Sequence, residues 1–235
     1  MRLSRLPFFQ KYLFILVHVK RLLSGGFAKQ YFSQWGEDIV LQHLFSKKSK
    51  GFYVDVGAYH PLHYSNTYLL HKQEWRGINV DPNPVSIALF KWHRSRDINV
   101  NYGIATEVTE KPYYIFNHQS CNTFSEAQKE KMLAKSYISL IETKIIPCVP
   151  LQYILDEHAP GVTVDFLNID VEGMNFEVLQ TLDFQKLAPQ VICIEDDNFN
   201  FDKLNNNTST IFQLLSQYGY MLHSKVGLSC IYVKQ

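Results

Sequence analysis

Cysteine is scarce in this sequence, and the spacing of its few copies excludes two kinds of stabilising site. The four cysteines lie far apart and form no Cys-x-x-Cys pair. A structural zinc site needs closely spaced ligands, and a disulfide framework belongs to short, cysteine-dense chains, so we expect neither. Cys193 lies in the apolar run 191–194 and is expected to be a small buried side chain. The simplest compartment for such a chain is a reducing one, the cytoplasm.

Positive charge is sparse beyond the first 36 residues. Six lysines and arginines and no acid precede Glu37, which leaves 17 of the 23 basic residues to face 22 acidic ones in the rest of the chain. A mildly acidic body of this kind argues against a track for nucleic-acid phosphates, so we expect no nucleic-acid partner.

The chain also lacks an apolar run of about 20 residues, the length that a membrane-spanning helix needs. The most apolar stretch, residues 6–23, is interrupted by polar side chains, and residues 24–26 match a signal-peptide cleavage site poorly. We therefore expect a basic, apolar helical segment at 1–30 and one domain at 31–235. Two arrangements stay open for residues 6–23: peripheral contact with anionic lipid on the inner face of a membrane, or packing on the chain's own domain.

What the chain does have, from Gly51 onward, is a regular alternation of strand and helix patterns. Short apolar runs typical of buried strands occur at 51–57, 77–81, 98–102, 164–170 and 190–195. Helical patterns lie at 66–72, 84–93, 175–182 and 209–218. The alternation predicts a doubly wound α/β fold with a mostly parallel sheet, and runs at 220–223 and 229–233 predict an antiparallel edge hairpin. Residues 106–161 depart from the rhythm and are expected to form an elaboration over the substrate side.

Two strand runs early in the chain end in an acid, at the sheet edge where open α/β sheets bind ligands. After Asp55 the turn contains one glycine, Gly57, which permits close approach of the backbone to a ligand. The Gly-x-Gly-x-x-Gly cradle for a pyrophosphate is absent, so the turn favours a ligand with an adenosine and no phosphates. Asp81 follows one strand–helix–strand unit later, where a carboxylate can accept from both ribose hydroxyls. A turn or helix-capping role is the alternative for each acid.

Further acids follow the fourth and fifth strand runs. Asp170 and Glu172 precede a helix, where they can bind acceptor hydroxyls, act as a base or cap the helix. If those two strands are neighbours, Asp170 lies near Asp196 and Asp197. Such a carboxylate set suits Mg²⁺ or Ca²⁺, and a solvated acidic loop is the alternative.

Three histidines are further candidates for a general base, because an imidazole titrates near neutral pH. His60 and His63 lie in or beside the first turn, and His118 lies in the elaboration. His60 is the candidate closest to the first turn, with shaping of that loop as the alternative role.

Five sequence blocks, in this order, carry a family resemblance. They are Ser33-Gln34-Trp35-Gly36-Glu37-Asp38, Phe52-Tyr53-Val54-Asp55-Val56-Gly57-Ala58, Ser65-Asn66-Thr67-Tyr68, Trp75-Arg76-Gly77-Ile78-Asn79-Val80-Asp81-Pro82-Asn83-Pro84 and Leu167-Asn168-Ile169-Asp170-Val171-Glu172-Gly173. Together they resemble the FkbM family of methyltransferases. The resemblance runs from about Tyr31 to the end and leaves the basic head uncovered.

The resemblance implies a class I, Rossmann-like methyltransferase fold with a seven-stranded sheet and S-adenosylmethionine as cofactor. It also implies transfer to an oxygen, commonly a hydroxyl of a sugar, glycan, glycolipid or other small molecule. The cofactor contacts that it implies are Asp55, Gly57, Ala58, Asn66, Asp81, Pro82, Gly103 and Ile104. Asp170 and Glu172 would face the transferred methyl group, with Asp170 as the first choice for the base.

Two functions from other classes stay open at this point. A nucleotide-dependent oxidoreductase shares the fold class, although the missing glycine fingerprint speaks against it. A non-catalytic, membrane-associated binding module would account for the basic head while keeping the fold, because a fold alone does not establish an activity.

Overall fold

The computed structural model describes residues 7–24, 28–201 and 209–235. The chain divides into two compact units, Met1–Tyr31 and Phe32–Gln235. The head expected over residues 1–30 falls in the first unit. Its first six residues, and the two glycines of the expected break after it, lie outside the described residues.

In the first unit, helix α1 spans Phe8–Leu23. Lys20 and Arg21 lie in its last turn, where cations interact favourably with the helix dipole. Some of its apolar residues repeat at the spacing of one helix side: Tyr12, Leu16, Val19 and Leu23. Within the described ranges, no helix is long and apolar enough to cross a bilayer.

The second unit alternates strands and helices. Its helices are α2 (Glu37–Leu44), α3 (Tyr68–Lys72), α4 (Pro84–His93), α5 (Glu126–Leu133), α6 (Leu151–His158), α7 (Asn175–Gln180) and α8 (Thr210–Gln217), and a short 3-10 helix covers Gln119–Cys121. Its strands are β1 (Phe52–Val56), β2 (Arg76–Val80), β3 (Ile98–Val100), β4 (Gly103–Ile104), β5 (Thr109–Phe116), β6 (Leu140–Val149), β7 (Phe166–Ile169), β8 (Val191–Glu195), β9 (Tyr220–Val226) and β10 (Ser229–Lys234).

The main sheet has seven strands in the order β3-β2-β1-β7-β8-β10-β9. The first five strands of that order pair in parallel, and β10 pairs antiparallel with both β8 and β9. The expected doubly wound sheet and its antiparallel C-terminal hairpin are therefore confirmed. The chain moves outward from β1 to β3 and then returns to the other side of β1 with β7. The switch point of the sheet thus lies between β1 and β7, where open α/β sheets bind their ligands.

The central strands β1, β7 and β8 are buried on both faces because their apolar side chains alternate between two hydrophobic clusters. Val54 and Leu167 belong to the larger cluster, and Tyr53 and Phe166 belong to the smaller one. Cys193 also lies in the smaller cluster and is 1% exposed, as its apolar surroundings in the sequence indicate. Nearly continuous apolar strands of this kind are the sequence signature of a parallel sheet covered by helices.

The stretch that departs from the alternation contains a second, smaller sheet of order β4-β6-β5. Strand β6 pairs in parallel with β4 and antiparallel with β5. Most of β6 is exposed, and only Cys148 and Val149 at its end are buried. The small sheet therefore joins the core at one end.

Candidate functional site

A cavity opens at the carboxyl ends of β1, β2 and β7, beside the switch point, and its empty space is about 970 Å³. We call it the strand-end cavity. Its lining includes every residue expected to contact the cofactor: Asp55, Gly57, Ala58, Asn66, Asp81, Pro82, Gly103 and Ile104. Asp170 and Glu172 line it as well, whereas His60 is not part of its wall. The sheet topology thus brings residues that are far apart in sequence to one edge.

Gly57 lets the turn after β1 pass directly against the loop after β7. Its φ is 77°, in the left-handed region that favours glycine. A Cβ at this position would lie 1.7 Å from the carbonyl oxygen of Asp170. The backbone N–H groups of Gly57 and Ala58 both donate to the carbonyl of Val80, at 3.0 and 3.1 Å. The turn is therefore fixed against both neighbouring strands, in a space where only glycine fits.

Asp81 is buried at the end of β2 and organises the same turn. Its carboxylate accepts hydrogen bonds from the backbone N–H groups of Tyr59 and Asn83, each at 2.8 Å. Burial raises the pKa of Asp81 to about 6, although these two hydrogen bonds act in the opposite direction. Each carboxylate oxygen can accept more than one hydrogen bond, so Asp81 retains acceptor capacity for a ligand hydroxyl.

Asp55 is held by a chain of buried side chains. Its carboxylate accepts from the Thr67 hydroxyl at 2.6 Å and from the Asn168 amide at 2.9 Å. The Asn168 carbonyl in turn accepts from the amide of Asn66 at 2.9 Å. Burial raises the pKa of Asp55, and these hydrogen bonds and the charge of Arg94 oppose that rise. The side chain of Asp55 therefore fixes its neighbours in the cavity wall as well as facing the cavity.

Sequence reasoning missed Arg94, which follows α4 and is only 1% exposed. Its guanidinium donates to the Pro61 carbonyl, to the Ser65 hydroxyl at 2.8 Å and to the Thr67 hydroxyl at 2.8 Å. These three contacts lie along the loop 57–67, which supplies much of the cavity wall. No sequence pattern indicates this role, because a lone arginine after a helix is usually a solvated residue.

Asp170 and Glu172 are the two carboxylates nearest to the chemistry that the resemblance implies. Burial raises the pKa of Asp170 well above its usual range, and the charges of Glu195 and Glu172 add to that effect. Burial, followed by the charge of Glu195, raises the pKa of Glu172 to about 7. Glu172 also has a φ of 50°, a conformation that is rare outside glycine. A carboxylate that titrates near neutral pH is suited to general-base work.

Glu172→Gln is expected to stabilise the ligand-free protein at alkaline pH. The folded-state pKa of about 7 lies above the ordinary value of 4.5, so ionising this carboxyl opposes folding from pH 4.5 upward, and the cost is complete above pH 7. This pKa difference corresponds to an ionisation cost of at most roughly 3 kcal/mol. Solvent reaches the partly exposed carboxyl and lowers that cost. We expect a gain of about 1–2 kcal/mol in the free energy of unfolding at pH 8 and none at pH 4.

Denaturant unfolding at the two pH values measures this gain. Glu177→Gln, which neutralises an exposed carboxylate on α7, is the matched control and should change stability little at either pH. If Glu172→Gln raised the free energy of unfolding as much at pH 4 as at pH 8, the ionisation of Glu172 would not be the cause.

His60 shapes its own loop. Its Nδ1 accepts hydrogen bonds from the backbone N–H groups of Leu62 and His63, at 3.1 and 3.0 Å. A neutral ring that accepts at Nδ1 carries its proton on Nε2 and has no free acceptor nitrogen for a substrate proton. Burial also lowers the pKa of His60. The role of His60 as a base stays a prediction, and its hydrogen bonds favour the alternative of loop shaping.

The expected metal site of Asp170, Asp196 and Asp197 requires a correction. In residues 7–24, 28–201 and 209–235, no three His, Cys, Asp or Glu side chains are grouped so that they could hold a metal ion. The carboxylate of Asp196 instead accepts from the Ser209 hydroxyl and from the backbone N–H of Asn198. Asp196 therefore connects the end of β8 to the start of α8, while Asp197 is exposed.

The sheet order, the glycine turn and the acidic strand ends agree with the comparison to known families. Residues 55–222 match the family described as Methyltransferase FkbM domain, which is well over half of the chain. The chain belongs to the FkbM methyltransferase family. No curated protein and no solved structure matches it. The evidence for the reaction of this FkbM methyltransferase is therefore its cavity.

The elaboration of this FkbM methyltransferase supplies one side of the strand-end cavity. Tyr113 of β5 and the segment 119–120 and 122–124 line it. The Thr123 hydroxyl donates to the backbone carbonyl of Glu172 at 2.8 Å, and the Gln128 amide lies 3.4 Å from the Glu172 carboxylate. The elaboration thus holds the loop that carries Glu172. The polar stretch before α5 was the sequence signal for these contacts, but it did not identify individual residues.

The charge of the cavity lining is one-sided. Four carboxylates line it: Asp55, Asp81, Asp170 and Glu172. The described lining contains no lysine, arginine or histidine. A further carboxylate, Glu195, lies close to the lining, because its charge acts on both Asp170 and Glu172. Such a cavity favours a cationic ligand and opposes an anionic one.

Proposed function

We propose that this FkbM methyltransferase uses S-adenosylmethionine to methylate a hydroxyl group, on a sugar, glycan or glycolipid. The observation that carries the proposal is the anionic cavity at the switch point of the sheet. S-adenosylmethionine bears a sulfonium and an ammonium group against one carboxylate, and it has no phosphate, so its net positive charge complements the four carboxylates. When bound, it supplies an electrophilic methyl group on that sulfonium.

The residues of the cavity fit the parts of this methyl donor. The single-glycine turn at Gly57 leaves room at the strand ends for a ligand that needs no pyrophosphate cradle. Asp81 retains acceptor capacity suited to ribose hydroxyls. Gly103 and Ile104 are buried and offer an apolar border for an adenine ring. Asp55 and Asn66 complete the wall beside Gly57.

A hydroxyl acceptor needs a group that removes its proton as the new carbon–oxygen bond forms. Glu172 and Asp170 are the candidates for that base. At neutral pH Glu172 is about half ionised, and burial together with the charges of Glu195 and Glu172 raises the pKa of Asp170. We therefore assign the base role to Glu172, in place of the Asp170 preference from the sequence, while Asp170 also lines the cavity. The rest of the contribution of the chain is alignment of the reactants and exclusion of water.

The test is methyl transfer from labelled S-adenosylmethionine to a panel of methyl glycosides. We expect labelling of at least one glycoside, at a rate that rises with pH through about 7 as Glu172 ionises. Glu172→Gln should lower kcat by roughly 10²–10⁴-fold and remove that pH dependence, whereas Glu177→Gln should leave both unchanged. Labelling of no glycoside, or an unchanged kcat in Glu172→Gln, would contradict the proposal.

The two competing functions are less well supported by the cavity. A nicotinamide dinucleotide carries a pyrophosphate, and the lining offers it four carboxylates and no cation among the described residues. A non-catalytic binding module gives no reason for a buried carboxylate to be poised near neutral pH. Contact of residues 6–23 with an anionic membrane face stays a prediction for either an enzyme or a binding module.

A further inference from the structure

Two tyrosines of the strand-end cavity are held in a backbone conformation that tyrosine rarely adopts. Tyr59 has a φ of 54° and Tyr64 a φ of 55°. A bulky residue in the left-handed region costs roughly 1–3 kcal/mol, and such residues concentrate at functional sites. The proposed site for the methyl donor involves only the backbone of Tyr59, whose N–H donates a hydrogen bond to Asp81. The two aromatic rings therefore require a separate explanation.

The rings form an aromatic surface at the edge of the cavity. The ring centroids of Tyr59 and Tyr64 are 6.4 Å apart, and their planes differ by 21°. His63 stacks against Tyr64 with a centroid distance of 3.8 Å. Tyr64 nonetheless remains 47% exposed. The stacked imidazole thus holds the Tyr64 ring in place while leaving part of it free for a ligand.

The cavity lining also contains polar side chains that carry no charge. Gln34, Gln119, Ser120 and Asn122 line the cavity. Amide and hydroxyl groups beside an aromatic face suit a ring that carries hydroxyl groups, because the apolar face of the ring can stack while its hydroxyls form hydrogen bonds. These residues together match the chemistry of a neutral sugar ring.

The same lining opposes an anionic acceptor. A phosphate or carboxylate on the acceptor would lose its water beside Asp170 and Glu172, whose pKa values are raised by burial and by neighbouring carboxylates. Within the described lining no lysine, arginine or histidine is present to pair with that anion. Bringing a further negative charge into this site is therefore strongly unfavourable.

We propose that Tyr59 and Tyr64 form the stacking platform for the acceptor, and that the acceptor is a neutral ring with no phosphate or carboxylate beside the hydroxyl that it presents. This inference rests on the proposed function and adds the residues and the charge class of the acceptor subsite. It implies that any charged group of the acceptor molecule lies outside the cavity, away from the ring that carries the methylated hydroxyl.

Saturation-transfer NMR on the full chain, saturated with S-adenosylhomocysteine, tests the platform. The probes are methyl glycosides of glucose, galactose, mannose, fucose and rhamnose, each neutral, together with glucuronate and galacturonate as charged counterparts. Tyr64→Asn and Tyr59→Asn remove one ring each and keep a residue that tolerates the left-handed conformation. Tyr153→Asn is the matched control, because Tyr153 is also 47% exposed but lies on α6, outside the cavity lining.

We expect saturation transfer from the protein to at least one neutral glycoside and to neither uronate. Tyr64→Asn should weaken that binding at least about 5-fold, the loss of one aromatic stack, and Tyr59→Asn should weaken it too. Tyr153→Asn should not, and calorimetry should give the wild-type affinity for S-adenosylhomocysteine in Tyr64→Asn and Tyr153→Asn.

Three results would overturn the platform while leaving the donor site intact. They are binding of S-adenosylhomocysteine with no saturation of any neutral glycoside, equal binding of the uronates, and unchanged glycoside binding in Tyr64→Asn. A fall in S-adenosylhomocysteine affinity in Tyr64→Asn would instead assign the ring to the donor and would also overturn the proposal. Failure of the wild-type chain to bind S-adenosylhomocysteine would contradict the proposed function itself.

Discussion

Gly57→Ala is expected to weaken binding of the methyl donor strongly and to destabilise the fold. The new Cβ would lie 1.7 Å from the Asp170 carbonyl oxygen, so the turn after β1 and the loop after β7 must separate. Alanine also costs roughly 1–2 kcal/mol in the left-handed conformation that Gly57 adopts. We expect stability to fall by about 3 kcal/mol or more. Affinity for the donor should fall by roughly 100-fold or more, because the strand ends no longer meet at their proper distance.

Gly161→Ala is the control that separates the clash from the backbone strain. Gly161 has a φ of 72°, close to that of Gly57, but a Cβ there would meet nothing within 4 Å. Its substitution should cost only the strain, about 1 kcal/mol, and leave donor affinity unchanged. Thermal unfolding and calorimetric titration of both variants measure the two effects. Equal behaviour of the two variants would show that the contact with Asp170 does not matter.

Arg94→Met is expected to loosen the whole loop 57–67. The substitution leaves the Pro61 carbonyl and the hydroxyls of Ser65 and Thr67 without their buried donor. The guanidinium also connects to two buried acids through one intervening hydroxyl each. The Thr67 hydroxyl donates to Asp55, and the Tyr53 hydroxyl donates to Asp97.

Removing one member of a buried charged network costs roughly 3–5 kcal/mol, so we expect the melting temperature to fall by roughly 10 °C. Donor affinity should fall as well, because Gly57, Ala58 and Asn66 belong to the loosened loop. Arg94→Lys should rescue little, since one ammonium group cannot reach acceptors that a planar guanidinium reaches together. Arg96→Met removes an exposed arginine from the same segment and is the control. Melting temperatures of Arg94→Met and Arg96→Met within 2 °C of each other would contradict this account.

The main sheet could be predicted from the sequence because its physical requirements are local. A strand buried on both faces must be mostly apolar, and β1, β2, β7 and β8 are mostly apolar runs. Acids can follow them only where the strands leave the core, at the ligand-binding edge. The order of these acids and the lone Gly57 therefore sufficed to predict where the cavity would open.

The small sheet and the loop anchor could not be predicted in the same way. Strand β6 is exposed along most of its length, so its residues show no regular alternation of apolar and polar side chains. Its pairing with β4 and β5 therefore has no counterpart in the sequence pattern. Arg94 is separated from Thr67 by 27 residues, and serine, threonine and proline in the loop 57–67 have the composition of an ordinary turn. Such polar contacts depend on the tertiary fold and leave no periodic signal in the sequence.

The metal expectation failed for a related reason. Asp196 and Asp197 are adjacent in sequence, and the charge of Asp197 does act on Glu172 in the cavity lining. The side chain of Asp196, however, is directed to Ser209 and the backbone of Asn198, where it stabilises the entry to α8. Spacing alone does not distinguish a metal ligand from a residue that caps a turn.

The most direct test of the account is a calorimetric titration of the chain with S-adenosylmethionine, S-adenosylhomocysteine and NADH, repeated with Asp81→Ala. The anionic cavity predicts micromolar binding of S-adenosylmethionine, weaker binding of the demethylated product, which lacks the sulfonium charge, and no binding of the dinucleotide. Asp81→Ala should weaken both adenosyl ligands by about 10-fold or more, the loss of hydrogen bonds to a charged group. Binding of NADH in preference to S-adenosylmethionine, or binding that Asp81→Ala leaves unchanged, would contradict the assignment of the cavity to a cationic methyl donor.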